Sequence, residues 1–226
     1  MNRAAPVAAI FAHPDDEVLG CGGALAMHAR AGARMRILLL ATGLSARGAT
    51  DAAAIDALRN QARKAAAILG AAAVEFADFP DNAMDTVALL DIVRRVEEFL
   101  AAEWPTTVYS HHAGDLNIDH CIAARAVATA LRPLPGRMSP EILACEVNSS
   151  TEWSIPGARA FVPTDFLDIS SCLDKKAAAL ACYAGELRAW PHPRSIEGVR
   201  ALARWRGAQA GVDAAEAYML VRRIRI

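Results

Sequence analysis

Residues 7–42 read VAAIFAHPDDEVLGCGGALAMHARAGARMRILLLAT, three segments of contrasting pattern. Residues 7–12 are apolar without a break, as in a strand buried on both faces. Residues 18–31 lack proline and hold four alanines, which favours a helix. Residues 34–42 return to an apolar run around Ile37-Leu38-Leu39-Leu40. Strand, helix and strand over so short a span predict a βαβ unit, whose two strands lie parallel in one sheet.

The alternation continues down the chain. Residues 55–69 are a predicted helix closed by Gly70, since glycine tolerates the positive φ of a C′ position. Residues 74–79 read as a strand. Leu89, Ile92, Val93, Val96, Phe99 and Leu100 then recur at helical spacing. A strand at 106–110, a helix at 118–131 and a strand at 142–147 follow. The predicted fold is α/β: a Rossmann-like three-layer sandwich with a mostly parallel sheet and helices on both faces. Past Asn148 the pattern loosens. Residues 151–164 contain Pro156, Gly157 and Pro163 and read as an irregular loop near a site rim. A helix is expected over 173–187, another from an N-capping Ser195 to near Gly211, and a late strand over 218–226. No repeat or linker composition divides the chain, so residues 1–226 are read as one domain.

Composition excludes several classes of function. Lys and Arg (24) nearly balance Asp and Glu (25), so no basic field awaits nucleic acid. No apolar run approaches the about 20 residues of a membrane span. Met1-Asn2-Arg3 and the short apolar stretch after it are too brief for a signal peptide. The five cysteines, Cys21, Cys121, Cys145, Cys172 and Cys182, are odd in number and lack Cys-x-x-Cys pairing. That predicts free thiols in a reducing compartment, and a soluble, cytoplasmic protein.

Two polar clusters interrupt the scaffold, each just after a predicted strand, where ligands bind in open α/β sheets. The first is His13-Pro14-Asp15-Asp16-Glu17. Three adjacent acids repel unless a positive charge sits among them, and a divalent cation supplies one. The acids alone also suit the positive end of the following helix, but that leaves His13 without a reason. His13 and Asp16 offer zinc-type donors, and Pro14 stiffens the turn between them. The second cluster, His111-His112-Ala113-Gly114-Asp115-Leu116-Asn117-Ile118-Asp119-His120, places His120 in the first turn of a helix as third ligand. Asp119 or Asp115 can orient an imidazole. His111 and His112 are candidates for site lining, and Asn117 suits an N-cap. A His, Asp, His set leaves a position for water, the arrangement of a catalytic zinc site, although iron or cobalt also suits these donors. Asp15, beside ligand Asp16, is the natural proton acceptor.

At these residues the chain resembles the PIG-L/LmbE-like deacetylases, relatives of N-acetylglucosaminyl-phosphatidylinositol de-N-acetylase and of the mycothiol and bacillithiol pathway deacetylases. The match rests on AHPDDE at 12–17, D-x-N-x-D-H at 115–120, and the strand–helix order to about residue 147. The resemblance implies Zn2+ on His13, Asp16 and His120, Asp15 as general base, and a tendency to homo-oligomers. Many members carry a histidine where this chain has Asn117, which can donate to an oxyanion but not act as an acid. The acid is then Asp15 after it has taken a proton, or His192 of Trp190-Pro191-His192-Pro193. Asp81 and Asn82, after the third strand, are candidates for binding sugar hydroxyls, although a turn explains them equally well.

The expected activity is removal of an acetyl group from a small N-acetylated sugar or conjugate. An amidase for a thiol conjugate or other N-acyl metabolite is a near rival. A non-catalytic sugar- or nucleotide-binding protein is a more distant one. Gly20-Cys21-Gly22-Gly23 matches no phosphate-loop string, and the glycines are expected to let the first helix pack closely on the sheet.

Overall fold

Strand β1 (Val7–Phe11) divides its side chains between two apolar cores. Val7, Ala9 and Phe11 enter one, and Ala8 and Ile10 the other, the period-two pattern of a strand covered on both faces. The computed structural model describes residues 5–44, 51–155 and 157–225; Met1-Asn2-Arg3, Pro156 and Ile226 lie outside them. Helices α1 (Asp16–Arg30), α2 (Ala52–Leu69), α3 (Leu89–Ala102) and α4 (Ile118–Ala130) alternate with strands β2 (Met35–Ala41), β3 (Ala73–Phe79), β4 (Thr107–His111) and β5 (Glu141–Cys145). Beyond them come β6 (Asp165–Asp168), α5 (Leu173–Leu180), α6 (Ile196–Ala210) and β7 (Ala215–Arg222).

Among the described residues these strands form one sheet in the order β3-β2-β1-β4-β5-β7-β6. Pairing is parallel from β3 to β5, while β7 runs antiparallel to both β5 and β6. Residues of α1, α2 and α5 fill the core on one face, and those of α3 and α4 fill the other. The mostly parallel three-layer sandwich expected from the sequence is therefore the fold. The chain leaves β1 toward β2 and leaves β4 toward β5, so the order reverses between β1 and β4. The crevice at their carboxyl ends is where such sheets bind ligands.

Several segments differ from expectation. Strand β6, with two acids in four residues, carries no apolar run. The helix expected over 173–187 stops at Leu180, where turns at Tyr183 and Glu186 replace it. The late strand begins at Ala215 rather than 218. Gly70 takes the left-handed C-cap conformation, and Ser195 accepts the Gly198 N–H as N-cap.

The glycines of α1 act in packing. A Cβ on Gly20 would lie 2.9 Å from Phe11 and 3.0 Å from Cys145. The helix breaks its regular geometry at Cys21, and the N–H groups of Gly23 and Ala24 donate instead to the Glu216 carboxylate at 2.7 Å each. Lys176 and the Tyr218 hydroxyl complete the partners of that buried acid.

Candidate metal centre

His13 follows β1 directly and Asp16 opens α1, so one tight turn holds both. The His13 N–H donates to Asp16 Oδ2 at 2.9 Å and closes the turn, and His13 Nδ1 lies 3.2 Å from the same oxygen. His120, in the first turn of α4, brings its Nε2 to 3.2 Å from it as well. All three residues are buried, and one donor atom from each lies within 4.8 Å of the others. The fold thus brings together the three ligands predicted from sequence.

The other nitrogen of each imidazole faces a further carboxylate. His13 Nε2 is 3.1 Å from Asp119 Oδ2 and 3.2 Å from Asp81 Oδ1. His120 Nδ1 is 3.1 Å from Asp115 Oδ1. Asp119 is fixed by the N–H groups of Asn82 (2.6 Å) and Met84 (3.0 Å). Asp115 is fixed by the Asn117 N–H, Ser150 Oγ and Thr151 Oγ1. Metal-bound histidines are held in this way, with the distal N–H given to an acid. His13, Asp81 and Asp119 also lie close enough to hold a cation. They use the opposite nitrogen of the same imidazole, and Asp119 is already engaged by backbone donors. We therefore assign them the orienting side.

The charges agree with a cation in the first group. Burial works against charge on His13, but Asp119, Asp16 and Asp81 outweigh it and hold the imidazole well above its ordinary range. Burial likewise opposes charge on His120, and Asp16 and Asp115 overcome it. Burial pushes Asp16 up, yet His120, His13 and His111 hold it well below the usual carboxylate range. Four carboxylates around two imidazoles leave excess negative charge that a divalent cation neutralises. Asp16 Oδ1 and His120 Nε2 are buried and make no hydrogen bond among the described residues. Orphaned donor atoms of this type fit a metal.

Asp15 is buried, with φ 104°, and its Oδ2 lies 3.1 Å from Arg194 Nη1. Burial raises its carboxyl well above the ordinary value, against the pull of Arg194. Glu17 is pushed up to about 7, chiefly by burial. With His13, Asp81, Asn82, Asn117, Glu186 and Arg194, Asp15 lines a small polar cleft of about 90 Å³. Asn117 caps α4 by accepting the Asp119 N–H at 2.8 Å, and its Nδ2 donates to Asn82 Oδ1 at 2.8 Å.

His192 is not among the residues that line this cleft. Its Nδ1 accepts the Arg194 N–H at 3.1 Å, and its ring stands edge-on to Trp153. From that segment it is Arg194, two residues further on and not among the residues predicted for the site, that touches Asp15. His111 accepts the Ala12 N–H at 2.8 Å and stacks on His120 with centroids 3.8 Å apart. Burial, then His120, lowers it well below the ordinary range, so it stands neutral. His112 bonds the Arg159 carbonyl at 2.7 Å. Ser150 and Thr151 also reach the site, where both donate to Asp115; Thr151 opens the loop expected over 151–164, and Ser150 precedes it.

Known proteins agree with this architecture. Residues 8–131 match the family model described as PIG-L, GlcNAc-PI de-N-acetylase. The 4-oxalmesaconate hydratase of Pseudomonas putida is 36% identical over 208 residues, covering 81% of this chain and 74% of that protein. A protein of Escherichia coli described as the uncharacterized deacetylase YaiS is 29% identical over 180 residues, covering 77% and 91%. Among solved structures, GalB, the 4-carboxy-2-hydroxymuconate hydratase from Pseudomonas putida, has a TM-score of 0.81 at 30% identity, with 98% of each chain covered.

Proposed function

The chain belongs to the PIG-L family, and on that footing we propose that it is a metal-dependent deacetylase of an N-acetylated amino sugar or sugar conjugate. One domain over residues 1–226 carries the activity, in the cytoplasm, with zinc as the metal. A cation held by His13, Asp16 and His120 supplies a Lewis acid and lowers the pKa of water toward neutrality.

The side chains supply the remaining chemistry. Asp15 takes a proton from water, and the resulting hydroxide oxygen adds to the acetamide carbonyl carbon. Arg194 holds the Asp15 carboxylate toward the cleft. Asn117 spends one amide hydrogen on Asn82 and offers the second to the developing oxyanion. The C–N bond then breaks and Asp15 returns its proton to the departing nitrogen, giving acetate and an amino sugar. His192, turned toward Trp153, is not needed for that transfer. Asp81 and Asn82 border the cleft and serve sugar hydroxyls.

The observation that carries this reading is the buried Asp15 carboxyl, one residue from Asp16 and lining the same cleft as His13. A second reading, hydration of an unsaturated acid, draws on the hydratase relatives and uses the same base and activated water. The cleft favours the first. Asp15, Asp81 and Glu186 line it against Arg194, and Arg194 is engaged with Asp15 and Glu186. That balance suits a neutral acetamido sugar better than a polycarboxylate.

The test measures two products in parallel. Acetate release is followed over a panel of N-acetylated sugars, sugar nucleotides and thiol conjugates. Absorbance loss is followed for conjugated unsaturated acids. We expect acetate release that a chelator abolishes and zinc restores. Asp15→Asn should lower the rate by on the order of 10²–10⁴-fold with metal still bound. Consumption of an unsaturated acid without acetate release would move the assignment to the hydratase reading.

A further inference from the structure

Glu17 is the acid of the Asp15-Asp16-Glu17 run that this chemistry leaves unused, and it is buried at 1% exposure. Its carboxylate has two partners. Oε2 accepts the Asp15 N–H at 3.1 Å, and Oε1 accepts the Tyr183 hydroxyl at 2.5 Å. Asp15 stands at φ 104° and ψ −30°, a region side chains rarely adopt and one that persists only where surroundings hold it. The surroundings here are specific. The Asp15 carbonyl accepts the N–H groups of Val18 (3.0 Å) and Leu19 (2.9 Å), while Glu17 holds its N–H. Tyr183 reaches Glu17 because α5 ends at Leu180 and the chain turns, with the Tyr183 N–H donating to the Leu180 carbonyl at 3.0 Å. Relaxation of Asp15 to negative φ would re-aim its carboxylate away from its present place beside Asp16 and Arg194.

We propose that Glu17 and Tyr183 are positioning residues for the general base, clamping the Asp15 peptide in its left-handed conformation so that its carboxylate stays on the cleft. The inference rests on the assignment of Asp15 as base. It predicts an effect on turnover rather than on substrate or metal binding, because neither residue lines the cleft or contacts a ligand side chain.

The test is Tyr183→Phe, with Glu17→Gln as a second variant should the first fail to fold. Each is assayed at full metal loading, alone and combined with Asp15→Asn. Tyr183→Phe should lower kcat by on the order of ten- to a hundredfold, with KM and metal stoichiometry held. The loss should vanish in the Asp15→Asn background, as expected of a residue acting through Asp15. Unchanged kcat overturns the proposal. So does a loss that persists in the Asp15→Asn background, or one that follows lost metal. A wild-type protein that releases no acetate fails the functional reading, and the clamp is then judged by the crystal structure of Tyr183→Phe. Asp15 relaxed to negative φ supports it, and Asp15 unmoved near 104° overturns it.

Discussion

At the scale of single residues, His13 joins the two halves of the site, since its nitrogens face different acids. Nδ1 faces Asp16 and Nε2 faces Asp119. If Nε2 carries the proton that Asp119 accepts, Nδ1 is left as the donor for a cation. Asp119→Asn should therefore weaken zinc binding by roughly 10–100-fold, the usual cost of losing such a partner. Competition with a chelator of known affinity measures this, and unchanged affinity would remove Asp119 from the site. His13, Asp15, Asp16 and His120 were legible in the sequence because a histidine among acids has no structural reason to be there. Arg194, Ser150 and Thr151 were not. They are common polar residues in loops, and only the closing of those loops against His120 and Asp15 gives them a part.

Among the elements, α1 carries the site, and its packing sets where the turn before it lies. Gly20→Ala pits two effects against each other. Alanine in a helix stabilises by up to about 1 kcal/mol over glycine. The new methyl group would meet Phe11 and Cys145 at 3.0 Å or less, and overpacking of that kind costs typically about 1–3 kcal/mol. Both neighbours are wholly buried and rest on the sheet, so the packing cost should win. Urea unfolding should show a net loss of stability; a gain would mean that the helix floats free of the sheet. The βαβ rhythm was legible because buried parallel strands need unbroken apolar runs. Strand β6 was hidden because it pairs on one side only and exposes Phe166 and Asp168. The early end of α5 was hidden because no proline directly follows its alanine run at 177–179 to mark a stop, while the contacts of Tyr183 with Glu17 and of Glu186 with Arg194 turn the chain.

For the whole molecule, acid stability follows from His28, which ties α1 to the middle of the sheet. Its Nε2 lies 3.0 Å from the Tyr109 hydroxyl on β4, and burial lowers its pKa from 6.5 to about 4. The unfolded chain therefore binds a proton that the folded chain refuses between those values. His28 adds stability that is full above about pH 6.5 and is lost as pH falls toward 4, by on the order of 3 kcal/mol. Glu17 works in the opposite sense: raised from 4.5 to about 7, it favours the folded state at low pH and loses that contribution as pH rises through 7. The raw profile mixes the two, so the informative quantity is the difference between wild type and His28→Gln, a variant that cannot charge. The wild-type advantage should be constant at and above neutrality and should shrink steadily from about pH 6.5 toward 4. Chemical unfolding at a series of pH values reads this directly, and a difference that stayed flat would mean the folded protein admits the His28 proton without cost.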